Sequence, residues 1–139
     1  MEKTRMYSWV SLSVGLAGVS MYVLARTLGA SRVGGLLAGI VYQLSSVYVV
    51  STVFTMIIAA MAWLPLLLAC IEQVIRKSTD RQSAGQTLPW AILGSLALGT
   101  QILAGHIEIT YYTLLVGAMY SVWRLLGVWR RVGVWRPVL

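Results

Sequence analysis

A polytopic membrane helix bundle, all-α and with about five transmembrane helices, is the fold class predicted for this chain, and three observations predict it. Of 139 residues, 58% are hydrophobic and 11% charged, and the mean hydropathy of +0.78 is well above what a water-soluble domain carries. Uncharged runs of 20, 39 and 26 residues separate Arg5 from Arg26, Arg32 from Glu72 and Arg81 from Glu108. The basic residues flank these runs instead of forming one face. Such a composition excludes a soluble enzyme, and one Cys with one His excludes a zinc module and a disulfide scaffold, since Cys70 has no partner within the chain.

A hydrocarbon core about 30 Å thick needs about 20 helical residues, so the first run forms one span over 7–25, with Gly29 as the natural helix stop in Arg26-Thr-Leu-Gly-Ala-Ser-Arg32. Glu2, Lys3 and Arg5 resemble the basic start of a signal peptide, but the apolar stretch behind them is longer than such peptides use. As one helix, the run from Val33 to Ile71 would extend about 58 Å. It must therefore fold back, and the Ser/Thr/Tyr-rich stretch of residues 45–52 is the best break, giving spans at 33–50 and 53–75. Pro65 frees a backbone carbonyl one turn earlier and predicts a kink, with a short re-entrant element as the competing picture.

After the polar loop from Arg76 to Thr87, Pro89 suits the first turn of a fourth span over 88–104. Gly105-His-Ile-Glu108 makes a tight turn into the last span, 109–128, where Arg124 is close enough to the end to snorkel and Trp123, Trp129 and Trp135 suit an interface. The basic tail of Arg130, Arg131 and Arg136 stops without a terminating signal, as in a piece of a longer protein.

With five spans, two of the 11 basic residues, Lys3 and Arg5, fall on one side and nine on the other. The positive-inside rule then puts the N-terminus outside, the C-terminus in the cytoplasm, and the turn at 104–110 outside. The net charge of +7 is a topology signal, and no aromatic-studded basic patch accompanies it, so no nucleic-acid partner is expected.

Four acidic residues are present. Glu2 is terminal, while Glu72 and Asp80 sit among Arg76, Lys77 and Arg81, where solvation or i,i+4 pairing is expected. Glu108 differs, because it stands two residues after the single histidine, opposite most of the basic charge. His106 has the chemistry of an acid or base near neutral pH, and Glu108 that of a proton acceptor or a holder of a sugar hydroxyl or cation; the alternative is that both sit in interfacial water beside Gly105. His-x-Glu by itself is no metal site, and no metal or other cofactor is expected. Gly35-Leu-Leu-Ala-Gly39 and the trio Gly94, Ser95 and Gly99 offer close helix approach, while Gln43, Ser45, Ser46 and Gln101 need hydrogen bonds within the bundle. Tyr111 and Tyr112 fit an aromatic belt or a surface for stacking a sugar or headgroup. No Ser/His/Asp set, His-Glu-x-x-His run or glycine-rich phosphate loop is present.

Three stretches together resemble the YfhO-like bacterial membrane proteins, multi-span members of the wider GT-C glycosyltransferase group. They are Gly18-Val-Ser-Met-Tyr-Val-Leu-Ala-Arg-Thr-Leu-Gly-Ala-Ser-Arg32, then Gly39-Ile-Val-Tyr-Gln-Leu-Ser45 leading to Ala62-Trp-Leu-Pro-Leu66, and Gln101-Ile-Leu-Ala-Gly-His-Ile-Glu-Ile-Thr-Tyr-Tyr-Thr113. The resemblance covers most of the chain, from Val14 to Leu126, but a minor part of a family member. It implies sugar transfer from a polyprenyl-phosphate donor to a cell-envelope acceptor on the outer face of the bacterial cytoplasmic membrane. In the family a carboxylate in the first large external loop acts as base or metal partner, and that loop would precede this chain. What carries over is a substrate-facing role for Gly105, His106 and Glu108, with no catalytic residue assigned. The implied partners are the lipid bilayer, a polyprenyl-phosphate sugar and the remaining spans of a parent protein. The alternative is a small non-catalytic integral subunit of a larger membrane complex; a small transporter fits poorly, because Glu72 and Glu108 are not at the centre of a span.

Overall fold

A computed structural model describes residues 2–45, 55–79 and 84–134, and within them the chain is all-α. The helices are α1 (Glu2–Thr27), α2 (Arg32–Gln43), α3 (Thr55–Met61), α4 (Leu64–Thr79), α5 (Thr87–Leu103) and α6 (Ile107–Val134), with a 3-10 turn at Ala84–Gln86. Two stretches are long and apolar enough to cross a membrane, Ser8–Thr27 and Ile57–Thr79, and Thr87–Leu103 is a shorter apolar helix.

The expected stop of α1 is present as a Schellman turn. Gly29 takes φ +97°, Gly29 N–H donates to Arg26 O and Ala30 N–H to Ala25 O, satisfying carbonyls the helix end would orphan. Two residues on, Ser31 caps α2 by accepting from Gly34 N–H at 3.1 Å. The short connection folds α2 back along α1, and here the Gly35/Gly39 pattern acts in packing: a Cβ on Gly39 would stand 2.9 Å from Gly18 O, and one on Gly35 would meet the Tyr22 ring at 3.0 Å. Gln43 Nε2 donates to Val14 O at 3.0 Å, the bond within the bundle that its depth requires.

The second expected span, 33–50, is met in part. Helix α2 ends at Gln43 with Leu44 as its C-cap, and its 12 residues rise about 18 Å, short of a hydrocarbon core. Its last turn is held by side chains that reach to other helices, Gln43 to α1 and Tyr42 to the start of the next unit. Residues 46–54, which include most of the break placed at 45–52, are outside the described residues, as are Asp80 and Arg81.

Pro65 acts as anticipated. The helix is interrupted at Ala62 and Trp63 and resumes as α4. Since Pro65 has no N–H for the carbonyl four residues back, Met61 O is free, and Tyr42 Oη donates to it at 3.1 Å. The chain continues through the break instead of turning back, and α3 with α4 forms the stretch Ile57–Thr79. Beside this junction lies a small-residue core, in which Ala17, Ile58 and Ala62 pack with Val14, Leu16, Tyr42 and Met61.

Helix α4 is the hub. It packs on α1, α5 and α6, whereas α5 and α6 meet each other little beyond their shared turn. Gly94 is one reason α5 comes close, since a Cβ there would lie 3.3 Å from Cys70 Cβ. Helix α5 starts at Thr87 and carries Pro89 in its first turn. Helix α6 runs past the expected limit of 128 to Val134.

Candidate functional site

The bundle has two chemically distinct ends. At one end Gly105, with φ +83°, closes α5: its N–H donates to Ile102 O, and Ala104 N–H is shared between Thr100 O and Gln101 O. The next residue starts α6, because His106 O accepts from both Thr110 N–H and Thr110 Oγ1. The two flanks are pinned by Gln101, which is fully buried at 0% exposure and donates from Nε2 to Thr113 Oγ1 at 2.7 Å.

This frame brings Gly105, His106 and Glu108 to one turn. His106 is half-buried, with its Nδ1 enclosed and unpaired, while Glu108 is exposed in the first turn of α6, near the positive end of that helix. Among the described residues neither side chain has a hydrogen-bond or ion-pair partner. Tyr111 and Tyr112 are exposed beside them with rings edge-on at 5.8 Å. Among the described residues no group of three or more His, Cys, Asp or Glu side chains is placed to hold a metal ion.

The other end carries a cluster that the local sequence does not announce. Glu72 on α4 is 2% exposed. Both of its oxygens are engaged by the fork of Arg124 on α6, Nε to Oε2 and Nη2 to Oε1, each at 2.7 Å. Tyr120 Oη, one turn before Arg124 on the same face, donates to Oε2 at 3.0 Å. The expected solvation or i,i+4 pairing of Glu72 is thus corrected: its partner is 52 residues away. Arg76 instead turns to α1 and donates from Nη1 to Thr27 O at 2.7 Å, a carbonyl at the negative end of that helix. Arg124 is corrected as well, since it folds inward onto a carboxylate instead of snorkelling.

The geometry makes this cluster a fastening. Two charge-assisted bonds and a phenol occupy three of the acceptor sites on a Glu72 carboxylate that is almost wholly buried, so it is poorly placed to accept a substrate proton. Its one advance signal is the pair Tyr120 and Arg124 at i,i+4, with Arg124 the single charge between Glu108 and Arg130.

The groups that satisfy depth without function are mostly bonded within their own helices: Ser13 to Trp9 O, Ser95 to Ala91 O, Thr100 to Leu96 O and Ser121 to Gly117 O. Around Gly99 there is no neighbour that a Cβ would meet within 4 Å, so its small size is not used inside the bundle. No protein-family model, curated protein or solved structure matches the chain.

Proposed function

We propose that the chain is integral to a bacterial cytoplasmic membrane and forms one wall of a larger multi-span protein that resembles the GT-C glycosyltransferases. In this reading the N-terminus is outside, the C-terminus is cytoplasmic, and the turn of Gly105, His106 and Glu108 faces a polyprenyl-phosphate sugar on the outer side. The observation that carries it is the contrast at that turn: its flanks are locked by the buried Gln101–Thr113 bond, while the side chains of His106 and Glu108 have no partner among the described residues. A rigid frame that presents unengaged polar groups is what a substrate-facing turn requires.

Membrane insertion is supported by the outward apolar side chains. Leu103 and Ile107 are 85% and 83% exposed, and Leu36, Leu37, Ile92, Leu96, Met119 and Leu126 are exposed along α2, α5 and α6. A surface so apolar needs lipid or further helices against it. Arg26, Arg76, Lys77 and Arg124 gather at the end opposite the Gly105 turn, which agrees with the charge count.

The test is made in source membranes and in the full-length parent. An antibody against the Arg76 to Thr87 loop is expected to detect a band several times larger than 15.2 kDa. His106→Ala and Glu108→Gln are each expected to lower sugar transfer about tenfold or more at unchanged expression, the effect of losing one hydrogen bond to a charged group. Unaltered transfer in both variants removes the site, and a band near 15.2 kDa replaces the wall with a small integral subunit.

A further inference from the structure

Because α5 and α6 both lean on α4 but part from each other above their shared turn, a cleft of about 590 Å3 opens between them, floored by α4. It runs from Leu64, Leu98 and Thr113 at one end to Ile75, Trp90 and Leu125 at the other. Along α4 that distance is about 16 Å, close to half of a hydrocarbon core about 30 Å thick, the depth of one leaflet.

Its lining asks for few hydrogen bonds. The hydroxyls in it are already engaged: Ser95 and Ser121 donate to carbonyls of their own helices, and Thr113 accepts from Gln101. Among the described residues a cation free of any carboxylate stands at one end of it. Lys77 holds its ammonium 5.6 Å from the centre of the Trp90 ring, at the basic end of the cleft, where Gln86 Oε1 accepts from it at 3.1 Å. Among the described residues both partners are uncharged, so the cation brings its formal charge to the rim with donors left for an anion.

An occupant that fits is apolar for the length of a leaflet, needs no polar partner along its stem, and is anionic at the end beside Lys77. We infer that the cleft between α5 and α6 seats one acyl chain of an anionic phospholipid, with its phosphate on Lys77. A partner helix fits less well, since it would bring its own bulk to a cleft that closes toward the shared turn and would leave Lys77 unused. The inference rests on the membrane insertion proposed above and is independent of sugar transfer.

The experiment uses the full chain in phosphatidylcholine vesicles doped with either phosphatidylglycerol or phosphatidylcholine carrying brominated acyl chains, at equal mole fraction. Bromine quenches tryptophan at short range, and subtraction of the Trp90→Phe signal isolates Trp90 from the other five tryptophans. Quenching of Trp90 by the brominated anionic lipid is expected to exceed that by the neutral one about threefold or more. Lys77→Gln should abolish the difference, and Ser95→Leu, which fills the cleft, should lower both signals. Equal quenching by the two lipids overturns the phosphate site while leaving membrane insertion intact. Absence of quenching by either overturns it in favour of a protein occupant. Failure of the chain to float with the vesicles overturns membrane insertion and the site with it.

Discussion

Gly29 and Gly105 both take left-handed φ values, +97° and +83°, and both close an apolar helix, yet the chain around them is used in opposite ways. At the Gly29 end three guanidinium groups are spent on fastening, and Lys77 is set apart from them at the rim of the cleft. Arg26 reaches Ala30 O, Arg76 reaches Thr27 O, and Arg124 clasps Glu72. At the Gly105 end the backbone is likewise closed by hydrogen bonds, but the side chains of His106 and Glu108 hold nothing among the described residues. The contrast is that, Lys77 apart, the polar groups at one end hold helices together, whereas those of the Gly105 turn do not.

The largest effect expected is at the fastened end. Glu72→Ala strands the Arg124 guanidinium against α4 and should cost about 3–5 kcal/mol, read as unfolding in detergent micelles by tryptophan fluorescence. Adding Arg124→Ala should cost less than the sum of the two single changes, because the uncompensated charge goes with it. A Glu72→Ala loss no greater than that of an exposed substitution would break the contrast.

Next in size come the two turns themselves. A Cβ on Gly29 or Gly105 would meet nothing within 4 Å, so substitution by alanine there carries backbone strain and no clash. Each change should cost about 1–2 kcal/mol, and the two should agree within a few tenths. A clear inequality in the same unfolding measurement would show that the ends differ in backbone rigidity and not only in side-chain use.

The smallest effect belongs to Glu108, whose exposed carboxylate sits in the first turn of α6. Glu108→Gln should lower stability by about 0.3–1 kcal/mol at low ionic strength, and added salt should erase the loss. A salt-independent loss of several kcal/mol would mean that Glu108 is engaged after all and would dissolve the distinction between the ends.

Much of the helix layout was legible in the residues. The stop at Gly29, the interruption before Pro65, the start around Pro89 and the turn at Gly105 each follow from a side chain, or the lack of one, acting on its own backbone. The carbonyl freed by Pro65 was foreseeable as well, though not that Tyr42 would donate to it. The extent of α2 was not legible, because no Gly or Pro marks its end and its last turn is held by bonds to α1 and α3. Of the candidate site, the neighbours Gly105, His106 and Glu108 were readable as one turn, since adjacency in the chain guarantees adjacency in space. The cluster at the other end is hidden for the same reason in reverse: Arg76 is the basic residue nearest Glu72 along the helix, whereas its bonded partner comes from α6.

Local interactions and composition are enough to make the chain helical and apolar, to stop α1 at Gly29 and α5 at Gly105, and to interrupt the helix before Pro65. Tertiary structure alone decided that Glu72 belongs to Arg124 and Tyr120, that Arg76 belongs to α1, and that α5 and α6 part to leave a cleft beside Lys77. The reason is physical. In a buried setting a carboxylate takes the partner that can fill both of its oxygens with good geometry, and a guanidinium delivered face-on from a packed neighbouring helix does so, whereas one a turn away on the same helix lies alongside and is free to cap another helix.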